Sequence, residues 1–189
     1  NLLEGGVRVP AILEWPAKIP EPRTSSAPCN TSDFYPTLLE LAGVPLPKGQ
    51  PPLDGISLVP LIEGKTDIRK KAMGFWDFPA PGRSRRARAM LESLRKEQQA
   101  GEVKPAPKEG HVEKQYSTKS FPGSVAWIDG DWKLLRSKGP PKLFNLSKDS
   151  AEKNDMAGKH PEKVAEMQKA LLTWQKSVTH SLNGEDYKK

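Results

Sequence analysis

Apolar residues recur at every second position from residue 7 to residue 15, which is the period of a β-strand. A glycine pair precedes this run and supplies the backbone freedom of a tight turn. Ile12 interrupts the polar alternate positions, which favours burial on both faces, as in a sheet covered by helices. Pro10 cannot donate a ladder hydrogen bond and favours an edge strand or a bulge. We therefore predict one long strand over residues 7–15.

A helical period replaces the strand period at two places downstream. The first helix is predicted after Ser32, a suitable N-cap, and ends at Gly43. Its apolar residues share one face: Phe34, Leu38, Leu41 and Ala42. The second begins at Pro161 and carries an apolar stripe at steps of three and four: Val164, Met167, Leu171, Trp174 and Val178. We expect this stripe to pack on a small sheet.

That sheet is predicted from four short runs between the two helices. The runs cover residues 72–78, 125–128, 132–136 and 142–146. Asp129-Gly130 separates the second run from the third and predicts a two-residue hairpin turn, with positive φ at both positions.

A basic helix is predicted between the first and second runs, from Ser84 to Gly101. One side is apolar, and the other carries Arg83, Arg85, Arg86, Arg88, Arg95 and Lys96. Two interpretations stay open, a solvated helix face and a polyanion-binding face. Residues 102–122 are polar and predict an exposed loop that includes His111.

Composition limits the class of protein. Hydrophobic residues make up 35% of the 189 residues and proline contributes 19, which is typical of a loop-rich chain or a piece of a larger protein. The net charge of +7 favours polyanions, whether nucleic acid, anionic membrane or sulfated polysaccharide. Cys29 is the only cysteine, so no internal disulfide can form. No apolar run is long enough for a membrane span, and no signal peptide is recognisable.

The motif Glu-Gly-Gly-Val-Arg-Val-Pro-Ala at residues 4–11, followed by Trp-Pro, resembles the late part of the catalytic domain of type I sulfatases, the arylsulfatase family. Five further segments follow in the order that the family has, at residues 32–43, 53–58, 130–135, 143–146 and 181–187. The resemblance covers nearly the whole chain and is closest to the bacterial polysaccharide-sulfatase type.

The resemblance implies a mechanism. A formylglycine, made from Cys or Ser in a Cys/Ser-x-Pro/Ala-x-Arg motif, attacks the sulfur of a sulfate ester, and a calcium ion held by Asp and Asn neutralises the sulfate. Cys29 lacks the rest of that motif, and no serine begins a matching one. We therefore expect both formylglycine and calcium upstream of this chain, and assign it no catalytic or metal-binding residue. The scattered histidines have no ligand spacing either.

The resemblance also places the loop that enters the hairpin, residues 121–124, towards the catalytic pocket. A histidine is common there in the family, and this chain has Ser124. We predict that Trp76, Asp77 and Ser124 line the substrate site. The alternative for Trp76 is a core position, since a tryptophan on a strand is usually buried.

Together these observations predict an α/β protein. Residues 1–64 are expected to end an alkaline-phosphatase-like α/β domain. Residues 65–189 are expected to form an α+β subdomain, a small antiparallel sheet with a packed C-terminal helix, beyond a charged linker at residues 65–71.

The predicted function is that of the C-terminal portion of a sulfuric ester hydrolase for a sulfated sugar or aryl sulfate, in a periplasmic or secreted parent. Its expected partners are that substrate and the N-terminal catalytic half, without nucleic acid. We expect the isolated chain to be inactive and marginally folded. The alternative is a non-enzymatic module that binds a sulfated glycan or nucleic acid.

Overall fold

A four-stranded antiparallel sheet forms the centre of the structure, a computed structural model that describes residues 2–78, 83–101 and 115–187. Its strands lie in chain order: β1 (Met73–Asp77), β2 (Ser124–Asp129), β3 (Trp132–Arg136) and β4 (Lys142–Asn145). The four predicted strands are therefore confirmed. Each pair of neighbouring strands is antiparallel and is joined by a ladder of backbone hydrogen bonds.

The turn between β2 and β3 lies one residue later than predicted. Asp129 pairs with Trp132, so the two turn residues are Gly130 and Asp131. Gly130 has a φ of 56°, and Asp131 does not have a positive φ. A turn with positive φ only at its first residue needs glycine only there. The prediction of positive φ at both Asp129 and Gly130 was wrong for this reason.

The long C-terminal helix, α5 (Pro161–Leu182), covers one face of the sheet, which we call the α5 face. Its buried Val164, Met167 and Leu171 form one core with four sheet residues: Val125, Trp127, Leu134 and Leu143. The predicted packing of α5 on the small sheet is confirmed. Gly74 of β1 is required here, because a Cβ atom at this position would lie 2.5 Å from the Trp174 ring.

The opposite face, the α1 face, is also buried, and its side chains alternate with those of the α5 face. Its buried residues are Met73, Ala126, Ile128, Lys133 and Phe144. The short helix α1 (Glu4–Val7) is bound to this face through Lys133, whose Nζ lies 2.8 Å from Glu4 Oε1 and 2.9 Å from Glu152 Oε1. Glu152 also accepts a hydrogen bond from the backbone N–H of Glu4, at 2.5 Å. We call these three residues the Lys133 triad.

The predicted strand over residues 7–15 is wrong. The glycine pair lies inside α1, and the chain then runs on without strand pairing to any described residue. Val9 is 80% exposed and Ile12 is 97% exposed. A strand needs a neighbour for its backbone N–H and C=O groups. No described residue supplies that neighbour, so the alternating pattern lacks the partner that would make it a strand.

Helix α2 (Phe34–Leu41) forms as predicted, but most of its apolar face is exposed. Phe34 is 57% and Leu38 is 64% exposed. The predicted cap, Ser32, lies inside a short 3-10 turn (Thr31–Asp33) that leads into α2, and the residue that caps this turn is Asn30. Its side chain accepts from the Ser32 N–H, the Asp33 side chain accepts from the Asn30 N–H, and the two bonds close a capping box.

A buried ion pair links the start of α2 to the segment before β1. Arg69 donates two hydrogen bonds to Asp33, of 2.7 and 2.9 Å, and both side chains are almost fully buried. Asp33 also accepts the N–H of Ile56, just before the short helix α3 (Val59–Ile62). Arg69 lies within the predicted charged linker, so that segment is held against the first part of the chain. The domain boundary there stays a prediction.

The basic helix is α4 (Arg83–Ala100), which ends at Gly101 as predicted. His111 and most of the predicted loop at residues 102–122 lie outside the described residues. Among the described helices, none combines the length and apolar character that a membrane crossing requires.

Asp33 should make the folded chain sensitive to acid. Burial by itself would raise the pKa of the Asp33 carboxyl, but the Arg69 guanidinium and the N–H groups of Asn30 and Ile56 outweigh it and lower the pKa below the usual 3.8. Because the folded pKa is the lower one, the contribution is complete above the unfolded pKa and is lost as pH falls through the folded pKa. Asp33→Asn should remove this dependence and lower stability by about 3–5 kcal/mol, since Arg69 stays buried and unpaired.

Urea unfolding between about pH 2 and pH 6, the window around the carboxyl pKa, measures both effects through tryptophan fluorescence. The exposed Asp67→Asn is the matched control and should keep the acid dependence. An unchanged acid profile in Asp33→Asn would contradict the assignment.

Replacing Lys133 should lower the stability of the fold more than replacing Lys142, a second lysine of the sheet. Lys133→Met leaves Glu4 and Glu152, whose side chains are 11% and 3% exposed, without their shared cation. We expect a loss of about 3–5 kcal/mol in urea unfolding, because carboxylates buried without a partner are costly. The exposed Lys142→Met on the neighbouring strand should change stability by no more than about 0.5 kcal/mol. Equal losses for the two variants would show that the triad does not stabilise the fold.

Candidate functional site

Two of the three predicted substrate residues lie opposite each other at one end of the sheet. Asp77 is the last residue of β1 and Ser124 is the first residue of β2, and the register pairs them directly. Residues paired in this way project from the same face of a sheet. By alternation from Lys133, that face is the α1 face. Asp77 is exposed and Ser124 is half-buried.

Trp76 lies on the other face of the sheet. It pairs in register with Val125 and packs beside Trp174 of α5, with ring centroids 6.3 Å apart. Its indole Nε1 donates a 2.8 Å hydrogen bond to the carbonyl of Pro122, two residues before Ser124. The structure therefore brings Asp77 and Ser124 together and sets Trp76 behind them, where its indole holds the loop that leads to Ser124.

Aromatic rings border this end of the sheet. Phe78 meets Trp76 edge-on at 5.1 Å and Tyr116 edge-on at 5.1 Å, and Phe121 lies 6.0 Å from Trp76. Asn183, at the end of α5, accepts from the Tyr116 N–H at 2.7 Å and donates to the Tyr116 carbonyl at 2.9 Å. This buried asparagine lies in the segment at residues 181–187 that carried part of the resemblance, and it fixes the chain as it returns to β2.

The Lys133 triad was not predicted from the sequence. It lies on the same face of the sheet as Asp77 and Ser124, so α1 and these two residues are on one side of the molecule. The feature of the sequence that could have indicated it is a lysine between Trp132 and Leu134, in a run whose pattern predicts a buried strand. A charged residue at such a position must be paired, but its partners are too far away in the sequence to be identified from it.

The described residues do not fit the metal or the nucleophile that the resemblance implies. No group of three or more His, Cys, Asp and Glu side chains among them could hold a metal ion. Cys29 is exposed, and its neighbours do not form the formylglycine motif. An open groove of 720 Å³, lined by α2 and residues 44–57, contains none of the predicted site residues.

Among the described residues, this end of the sheet offers a carboxylate and a hydroxyl group to a polar ligand. A carboxylate such as that of Asp77 accepts hydrogen bonds from hydroxyl groups, and a serine hydroxyl can donate or accept them. Such a combination is suited to holding a hydroxyl-rich molecule in position.

Comparison with known proteins identifies a family for this chain. Residues 1–96 match the family model described as "N-sulphoglucosamine sulphohydrolase, C-terminal". Human steryl-sulfatase is 46% identical over 66 residues, which cover 35% of this chain and 11% of that protein. Arylsulfatase G of Rattus norvegicus is 26% identical over 159 residues, 84% of this chain and 26% of that protein. A sulfatase of Formosa agariphila is 42% identical over 80 residues, 40% of this chain and 14% of that protein.

Among solved structures, the protein Ps i-CgsB, in complex with k-i-k-neocarrahexaose, is similar over 89% of this chain and 32% of its own, with a TM-score of 0.56 and 18% identity. That likeness supports the fold of the chain, with its small antiparallel sheet. The chain thus spans about a quarter or less of the length of the curated relatives named here. Because the family model matches about half of the chain, from residue 1 to residue 96, the chain belongs to the sulfatases, as a C-terminal domain of the N-sulphoglucosamine sulphohydrolase type.

Proposed function

We propose that this chain is the C-terminal portion of a sulfuric ester hydrolase that removes sulfate from a sulfated sugar or an aryl sulfate. The family match over residues 1–96 carries this proposal. The named curated relatives are a steryl-sulfatase, an arylsulfatase and a sulfatase, which supports the reaction class. The neocarrahexaose complex of the solved neighbour favours a sugar as the substrate over an aryl sulfate.

The formylglycine nucleophile and the calcium site then belong to a catalytic half outside this chain. Calcium would supply charge neutralisation at the sulfate. Apolar side chains of the first segment, such as Val9, Ile12 and Leu13, are exposed, as are Phe34 and Leu38 of α2. Exposed apolar surface of this extent favours a packing partner. We take that partner to be the catalytic half, and it would provide the missing neighbour for the run at residues 7–15.

In this arrangement, Asp77 and Ser124 contact the sugar, and Trp76 acts behind them by holding the Pro122 carbonyl. Asp77 accepts hydrogen bonds from sugar hydroxyls, which orients the ring and places its sulfate ester. Ser124 occupies the position where the family commonly has histidine, so it would supply a hydroxyl contact in place of an imidazole. The Lys133 triad keeps α1 on the same side of the sheet.

The first experiment is the intact mass of the native gene product with its peptide map. We expect a much larger chain that contains a Cys/Ser-x-Pro/Ala-x-Arg peptide with formylglycine and that hydrolyses an aryl sulfate. Residues 1–189 alone should show no turnover, because no described residue fits the nucleophile. A native product without that peptide and without sulfatase activity would refute the proposal.

Substitution of Asp77 tests the substrate site. Asp77→Asn should raise KM for a sulfated oligosaccharide about tenfold, because a hydrogen bond to a charged group contributes roughly 1.5–3 kcal/mol to binding. The kcat should change much less, because the residue binds the sugar and does not touch the reacting sulfate. Steady-state kinetics of the native gene product measure both constants.

Asp131→Asn, at the opposite end of the sheet, is the matched control and should leave KM unchanged. Equal KM values for Asp77→Asn and the unmodified protein, with unchanged thermal stability, would remove Asp77 from the site.

A further inference from the structure

Most of the chain's excess positive charge lies in the segment that connects β1 to β2. Residues 78–123 contain ten Lys and Arg residues against five Asp and Glu residues, a net charge of +5 out of the +7 of the whole chain. The rest of the chain is close to neutral. Charge concentrated in one part of a sequence can attract a polyanion as well as keep a protein soluble.

Helix α4 carries the largest share of this charge. It contains six basic residues and two acidic ones, Glu92 and Glu97. Arg88, Arg95 and Lys96 are exposed, and among the described residues none of the three forms an ion pair. Met90 and Leu94, exposed by 65% and 48%, lie on another side of the helix, whereas Leu91, 64% exposed, lies beside Arg88 and Arg95. These three positive charges of α4 are therefore not neutralised by the part of the chain that the structure describes.

The helix is attached at the candidate substrate site. The connection leaves the sheet just after Asp77 and returns to it at Ser124, the two residues that face each other at that end. Arg83, the first residue of α4, follows Asp77 by six residues, so the start of α4 can lie no further than about 20 Å from Asp77. A long polyanion bound near Asp77 would be within reach of α4.

We propose that α4 is a second binding surface for a sulfated polysaccharide, which contacts the polymer at sulfate groups other than the one being hydrolysed. This inference rests on the proposed function. Guanidinium groups suit the purpose because their planar donors bind two oxygens of a tetrahedral oxyanion at once. The consequence is a preference for polymeric over small sulfate esters, expressed in binding and not in the chemical step.

Two other polyanions fit the sequence of α4 less well. Single-stranded nucleic acid binds where aromatic rings stack on bases, and α4 contains no aromatic residue. A helix that lies on an anionic membrane usually carries Trp, Phe or several leucines on its apolar side, whereas the large apolar residues of α4 are two leucines and one methionine. The charge pattern next to Asp77 and Ser124 is better explained by a sulfated chain.

The test compares two triple variants of the native gene product, each lacking three exposed positive charges. Arg88→Gln/Arg95→Gln/Lys96→Gln changes α4, and Lys148→Gln/Lys153→Gln/Lys159→Gln is the matched control beyond β4. The probe is dextran sulfate, with binding measured by titration at low and moderate salt. We expect the α4 variant to bind about tenfold more weakly, because each exposed ion pair contributes modestly. The control should change by less than about twofold, and added salt should reduce the difference.

Equal weakening by both variants would overturn the inference, because binding would then depend on net charge alone. Tighter binding of single-stranded DNA or of vesicles with anionic lipid than of dextran sulfate would also overturn it. Thermal unfolding of both variants shows whether they remain folded; Gln is a good helix former, so α4 should persist.

Kinetics separate this inference from the proposed function. The α4 variant should hydrolyse a small aryl sulfate as fast as the unmodified protein while its KM for a sulfated polysaccharide rises about tenfold, in line with the weaker ion pairing. Normal turnover of both substrates would refute the role of α4 and leave the sulfatase proposal intact. No turnover of either substrate by the unmodified protein would refute the sulfatase proposal, and the role of α4 in it would be lost as well.

Discussion

The Lys133 triad determines how the N-terminal segment meets the sheet. A lysine buried in a sheet is stable only with carboxylates beside it, and here one carboxylate comes from α1 and the other from the segment after β4. Glu152 takes a φ of 54°, a left-handed conformation that costs a non-glycine residue about 1–2 kcal/mol. Its carboxylate meets both Lys133 and the N–H of Glu4, and these contacts offset the cost.

Two other contacts join early and late parts of the chain. Arg69 donates two hydrogen bonds to Asp33 at the start of α2, and the Trp174 indole of α5 donates a 3.1 Å hydrogen bond to Asp54. Each uses a charged or polar group from the first third of the chain. The first 64 residues therefore depend on specific polar contacts with the segment before β1, the sheet and α5, while much of their apolar surface stays exposed. This division fits a segment that has one set of partners within the chain and another in a larger enzyme.

The sequence was sufficient for elements whose partners lie nearby. Strands β2 and β3 were predictable because they are joined by a two-residue turn, and α5 because its stripe at Val164, Met167 and Leu171 recurs with the helical period. The run at residues 7–15 was misread because alternation indicates a strand only when a neighbour exists to pair with it. The resemblance pointed to Asp77 and Ser124, but only the register shows that they face each other and that Trp76 lies behind them. The sequence shows that Lys133 is a charged residue in an apolar strand, but it does not identify Glu4 and Glu152 as its partners.

The positions of the triad members in the sequence also determine when α1 can dock during synthesis of the chain. Glu4 and Lys133 are separated by 129 residues, and Glu4 and Glu152 by 148. At a synthesis rate of about 5–20 residues per second, roughly 7–30 seconds pass between the appearance of Glu4 and that of its last partner, Glu152. Until Lys133 has been made, α1 has neither of its anchors, and a four-residue helix is not stable alone. Docking of α1 must therefore wait for β3 and for the segment after β4, so within this chain an early segment is among the last to reach its final place.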